Sequence, residues 1–322
     1  MEYTNMKTKS LLTALFSFSC LMAPAAALAD FPDKDITIIV PKSPGGGTDI
    51  TTRGLIQFAK EHVDHNIIAV NRPGAGGVTG MVQAANSKPN GYTLVMTTVE
   101  LDILPHMNRS PIDYTAFKYI VAPIAEPAGL IVPKDSPFNS VEEFVAHAKA
   151  NPGKLRVGNA GVGSIWHLAS IAIKQQYDIQ FVDVPYAGGS SEAVAALMGQ
   201  HLDAITVGPG NANSQLQAGE LKLLGIMGEE RLPMFPNVPT FKELGNDFIV
   251  RAWAALAVPV KVSDEHYKTL STIFTNAMAE PGFVEFMNNQ GIEVNDMNVE
   301  QVNKMVAEDN EYYKELIKQI TL

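Results

Sequence analysis

Five times along this 322-residue chain a short apolar run gives way to a turn rich in glycine and serine, and then to a segment of helical periodicity. Strand, turn, helix in that succession is the pattern of parallel sheets covered by helices, and it excludes an all-helical or purely antiparallel fold. The first occurrence is the clearest. Ile36, Ile38, Ile39 and Val40 form a β-branched run bounded by Pro41, which suits a strand buried on both faces. Gly45, Gly46 and Gly47 follow, and their freedom to adopt positive φ lets successive N–H groups line a concavity. Thr48 or Asp49 is expected to cap a helix carrying Leu55, Ile56, Ala59 and Val63 on one face. The first-turn N–H groups of that helix and its dipole make the turn an anion seat that needs no arginine.

The other four turns follow strands expected at 66–70, 156–159, 180–184 and 204–207. A single glycine-rich turn is often only a tight connection. Recurrence argues for more, because in doubly wound sheets such turns gather at the carboxyl edge, where ligands bind.

Nucleotide chemistry does not fit these turns. No Lys followed by Ser or Thr comes after Gly47, so the P-loop pattern is missing. Residues 74–80 read G-x-G-x-x-x-G, but Pro73 precedes the first glycine and Thr97 and Thr98 stand where a ribose-binding acid would end the next strand. Ser164 and His167 are three apart without the G-x-S-x-G order, which predicts capping and packing rather than a nucleophile and its base. His62 and His65 flank Asp64 with no third ligand marked nearby, so no metal is expected. Trp166 and Trp253 read as core or pocket-wall residues, and Arg53 and Arg72 as salt-bridge partners that fix their loops. Neither a catalytic residue nor a cofactor is expected.

Residues 1–29 read as a secretory signal, with Lys7 and Lys9 before an apolar segment and Ala27-Leu28-Ala29 at the cleavage site. The only cysteine, Cys20, lies inside it, preceded by residues that make a poor lipidation site. The net charge of −10 argues against nucleic acid as a partner. Length suggests two domains. Pro123 and Pro127 interrupt an apolar stretch at 120–132 that suits a crossover, and the strand expected at 252–258 returns to the first domain. The expected division is a signal peptide at 1–29, one lobe from 30–127 and 251–322, and a second from 128–250.

The sequence resembles the Bug or TctC family, the extracytoplasmic solute receptors of tripartite tricarboxylate transporters. VPKSPGGGTD, VNRPGAGGVTG, KPNGYTL, GNAGVGSIWHLA, VPYAGGSSEAVAALMGQ, QAGELKLLGI and FPNVPTFKELG carry the resemblance nearly end to end. It implies a type II periplasmic-binding-protein fold of two doubly wound α/β lobes joined by crossing strands. It also implies a monomeric periplasmic receptor that closes on a small organic acid, a mono- or dicarboxylate, possibly aromatic, and hands it to transmembrane permease subunits. A ligand-presenting sensor for a membrane kinase and an enzyme on the same scaffold are the rival readings.

By position, the resemblance places Ser43, Gly45, Gly46 and Thr48 in the first-lobe seat, with Ala75, Gly76 and Thr98 beside it. Gly163, Ser164, Tyr186, Gly188 and Ser190 form the second-lobe seat. Three departures bear on the ligand. Lys42 could bring a charge to the mouth; Glu100 and Asp102 would repel a second carboxylate or favour an amine; and residues 208–211 lack an acid common in relatives.

Overall fold

The computed structural model describes residues 31–186, 189–290 and 292–318; the expected signal with Ala29 and Cys20, and the expected site residue Gly188, lie outside the described residues. Two five-stranded sheets make up the fold, supporting the two-lobed α/β class expected. The first holds β1 (Ile36–Val40), β2 (Ile67–Asn71), β3 (Thr93–Thr98), β4 (Phe117–Pro127) and β10 (Arg251–Pro259), in the order β2-β1-β3-β10-β4. The second holds β5 (Gly129–Pro133), β6 (Arg156–Asn159), β7 (Val182–Pro185), β8 (Ala204–Val207) and β9 (Leu221–Ile226), in the order β7-β6-β8-β5-β9.

Each sheet has three parallel strands and an antiparallel strand beside them. β1 runs parallel to β2 and β3, whereas β10 lies antiparallel between β3 and β4. In the second sheet β6 runs parallel to β7 and β8, and β5 is antiparallel to β8 and β9. The strand-to-helix turns therefore end on the same edge of each parallel set, as the recurrence predicts.

β1 is apolar because both its faces are covered: Ile36, Ile38, Ile39 and Val40 are all buried. α1 (Gly47–Ala59), α8 (Asp264–Ala279) and α9 (Pro281–Asn289) close one face of the first sheet around Leu55, Phe274 and Phe283. The other core runs from the opposite face of that sheet into the second unit. α10 (Val299–Ile317) opens with the predicted capping box, Asn298 with Gln301, and packs on β4, on α3 (Glu100–Ile103) and on α5 (Ile165–Tyr177). Pro123 sits inside β4, which an edge strand tolerates, and its carbonyl accepts the Asn295 N–H at 3.1 Å.

The chain passes between the sheets where β4 ends and where β10 begins. Arg251 is registered with Pro127 across the strand pair, and the Ala128 N–H donates to the Val250 carbonyl at 2.7 Å. The two crossings lie side by side.

Candidate functional site

The turn after β1 differs in one respect from expectation. α1 begins at Gly47 with Gly46 as its N-cap, and neither Thr48 nor Asp49 caps it through a side chain. Only Gly45 has positive φ, +80°; Gly46 is extended at φ −82°, and Gly47 is already helical. Asp49, the third residue of the helix, instead turns back and accepts the Gly45 N–H at 2.9 Å. Its carboxylate also receives Arg53 Nε at 3.0 Å and Asn71 Nδ2 at 2.8 Å. Burial pushes the Asp49 carboxyl up, but Arg53, the Gly45 N–H and Asn71 outweigh it and hold it below the usual range. Arg53 thus fixes its loop, as expected. One donor of the predicted concavity is spent on the chain's own carboxylate, and the Asp49 N–H donates to the Gly46 carbonyl at 2.9 Å, which leaves the Gly47 and Thr48 N–H groups as the first-turn donors of α1 that the helix itself does not satisfy.

Lys42 is likewise spoken for. Its Nζ lies 2.5 Å from Glu100 Oε1 and 2.8 Å from the Gly76 carbonyl, stapling three turns of the first unit together. Burial raises the Glu100 carboxyl, yet the Lys42 charge beside it brings it below the usual range. Ala75, Gly76 and Gly77 all have positive φ, and helix α2 (Val78–Ala85) follows. Thr98 is buried at the end of β3, its hydroxyl donating weakly to Met81 Sδ.

Asp102 corrects an expectation. It does not face a ligand but is fully buried, neither oxygen finding a hydrogen bond among the described residues. Burial, and then the charge of Asp309, raises it well above the usual carboxylate range.

On the second unit, Ser164 caps α5 by accepting the His167 N–H at 3.1 Å, and His167 Nδ1 accepts the Gly163 N–H at 3.1 Å. Ser164 and His167 therefore act in capping and packing, as predicted, and the Gly163 N–H is engaged. Gly163 lies against Met107 of the first unit: a Cβ there would stand 2.7 Å from the methionine methyl. Tyr186 donates its N–H to the Asn159 carbonyl at 3.0 Å and is half-buried; Ser190 opens α6 (Ser190–Met198). Trp166 and Trp253 are core residues.

A cavity of about 470 Å³ lies between the two units, a size suited to a small ligand. Gly47 and Ile50 of α1, residues 124–127 of β4, Gln290 and residues 292–296 contribute one wall. Pro209, Gly210, Asn211 and Asn213 beyond β8, with Leu232, Met234 and Phe235, contribute the other. None of the residues predicted for the seat lines this cavity, although Gly47 lies between two of them and Ile50 two residues beyond Thr48. Gly163 and Gly76 meet Met107 and Leu104 instead, at the corner after α3.

Glu126 is the residue that sequence reasoning missed. From β4 it crosses to the second unit, where Oε1 accepts the Gly210 N–H at 2.8 Å and Oε2 lies 3.5 Å from Asn211 Nδ2. Burial pushes its carboxyl up to about 7, the Gly210 N–H offsetting part of the rise. Gly208 makes room for it: a Cβ on Gly208 would stand 2.3 Å from the carboxyl. An acid from another strand thus reaches the 208–211 turn.

A family model, TctC, described as the tripartite tricarboxylate transporter family receptor, matches residues 52–322. The chain belongs to that family. Relatives of this receptor include the UPF0065 protein in gbd 5'region of Cupriavidus necator, 34% identical over 301 residues, which are 93% of this chain and 91% of that one. Protein BugT of Bordetella pertussis is 27% identical over 293 residues, 89% of each chain. Among solved structures, a TctC solute binding protein from Polaromonas superposes with a TM-score of 0.83 at 33% identity, covering 90% of this chain and 100% of that one. The periplasmic binding protein BugD gives 0.73 at 26% identity, covering 90% and 98%. The receptor is a two-lobed solute-binding protein.

Proposed function

We propose that the receptor works in the periplasm, captures a small organic carboxylate between its two units and delivers it to the membrane permease subunits of a tripartite tricarboxylate-type transporter. The observation that carries this reading is the cavity between the sheets with the N-terminus of α1 opening into it at Gly47. Carboxylates suit that position because the first-turn N–H groups of a helix lack intrahelical partners and the dipole adds positive potential. The family's own description names a tricarboxylate transporter receptor, which supports both the ligand class and the permease partner.

In this reading Ser43, Gly45, Gly46 and Thr48 form the rim around the anchored carboxylate, with Ala75, Gly76 and Thr98 behind them. Gly163, Ser164, Tyr186 and Ser190 approach from the other unit as it closes. The lobes are 30–127 with 251–322, and 128–250, and they turn about the paired crossings at Pro127 and Arg251.

A thermal-shift screen of mono-, di- and tricarboxylates tests the proposal. A bound acid at 100 times its Kd adds about 2.7 kcal/mol to stability, which a melting curve resolves. A flat response across the whole panel, confirmed by calorimetry, would overturn it.

A further inference from the structure

Asp102 of α3 is wholly buried with neither oxygen hydrogen-bonded, and the indole N–H of Trp253 near it is likewise buried without a partner among the described residues. Packed on α3, α10 brings Asp309, which takes both hydrogen bonds from the Arg251 guanidinium. Arg251 is the first residue of β10, registered with Pro127 where the chain crosses between the units. Its N–H donates to the Tyr313 hydroxyl at 3.2 Å, and that hydroxyl donates to its carbonyl at 3.1 Å. Two buried carboxyls therefore stand close to one guanidinium, and that guanidinium is fixed to the crossing. With Asp102 protonated, Arg251 serves Asp309 and the three groups balance. With Asp102 ionised they carry a net negative charge, which a buried site accommodates only by admitting water or by diverting the guanidinium.

We propose that Asp102 is a pH sensor for the crossings: protonated, it leaves Arg251 to Asp309 and keeps β10 seated against β4; ionised, it competes for the guanidinium and loosens the crossing, so the units part more readily as pH rises. This rests on the two units turning about the crossings, and not on which ligand they hold. The direction follows from burial, since a carboxyl raised in the folded state keeps its proton above the ordinary value of 3.8 and gives it up only as pH climbs toward the raised one. Asp309 reinforces burial there, Asp113 in the turn before β4 adds to it, and the Trp253 indole opposes both. Tyr119 of β4 and Tyr313 of α10 also surround Asp102, and burial raises both well above their ordinary value of 10.0, so they stay neutral in this range. The remaining titratable groups on the neighbouring elements are Tyr114 beside Asp113, Glu100 on α3 itself, which Lys42 pairs, and His106, whose Nε2 lies 2.9 Å from Asn310 Oδ1 of α10.

The test is amide hydrogen exchange on the full receptor without ligand, from about pH 5 to about pH 9, corrected for the intrinsic rise of exchange with pH. The Ala128 and Arg251 N–H groups, bonded to the Val250 carbonyl and the Tyr313 hydroxyl, report the crossing, and the Thr37 N–H, bonded to the Tyr92 carbonyl within the first unit, is the reference. Protection at the crossing should fall on the order of tenfold relative to Thr37 across that range, the equivalent of one pKa unit of proton linkage. Asp102→Asn, which cannot ionise, should hold the ratio constant. Asp309→Asn, which removes the rival for Arg251, should move the midpoint of the fall to lower pH, a displacement that a purely packing role for Asp102 would not produce. A ratio that does not change with pH in the parent would overturn the inference, and so would a fall that persists in Asp102→Asn. Either result would leave the carboxylate receptor standing, because that reading is carried by the cavity.

Discussion

Arg251 and Asp309 are joined by two hydrogen bonds, Nη2 to Oδ1 at 2.8 Å and Nε to Oδ2 at 3.0 Å, where β10 leaves the second unit and α10 crosses it. Their side chains are 13% and 5% exposed, so the pair is buried, and Tyr313 holds the Arg251 backbone from the same helix. Removing one partner strands the other charge. Asp309→Ala should cost about 3–5 kcal/mol, measured by urea unfolding. A loss under about 1 kcal/mol would mean that water reaches the guanidinium.

Asp102 should make the receptor less stable as pH rises. Its carboxyl is raised in the folded state by burial and by the neighbouring Asp309, itself raised by burial in spite of Arg251. A raised acid binds more protons folded than unfolded, so its contribution is fully present below the ordinary value of 3.8 and is lost as pH climbs toward the raised one. Asp102→Asn should therefore melt higher than the parent at pH 8, with the margin shrinking toward pH 4. A margin that widens on acidification would reverse the sign.

Gly45 and Gly46 should respond differently to the same change. Gly45 sits at φ +80°, so Gly45→Ala should cost about 1 kcal/mol. Gly46 is extended and a Cβ there meets nothing closer than 3.7 Å, so Gly46→Ala should fall within about 0.5 kcal/mol of the parent. Chemical denaturation of the two variants distinguishes them, and equal losses would contradict the conformations described.

Ligand capture should compact the molecule. The crossings at Pro127 and Arg251 are adjacent, and the cavity takes its walls from both sides of them. Small-angle scattering should show a smaller radius of gyration once a carboxylate identified in the thermal screen is saturating. Superimposable curves would indicate a cleft already closed when empty.

Much of the fold was legible because it is written locally. Residues 36–40 announce a buried strand by their β-branched run, Asn298 and Gln301 announce α10 by a three-residue spacing, and Ser164 announces α5 in the same way. The site was less legible. Asp49 occupying the Gly45 N–H, Asp102 turning inward and Glu126 reaching Gly210 all depend on which elements the topology brings together, and side-chain direction at a strand-to-helix turn has no signature in spacing. One trace of Glu126 was available: an acid directly before Pro127 in an otherwise apolar crossing strand, with a glycine-rich turn lacking its own acid elsewhere.

Glu126 and Gly208 occupy what is nearly a single volume, and this ties two distant positions into one heritable unit. A side chain at 208 would displace the carboxyl of Glu126 from its place at the Gly210 N–H, because a Cβ and that carboxyl group would stand 2.3 Å apart. A lineage that loses the acid leaves the Gly210 N–H without its partner until another group is recruited. Neither single step is neutral. Across relatives the two sites should therefore switch together, with the acid donated by one strand or by the other turn, so that the pocket changes hands between lobes without ceasing to be acidic.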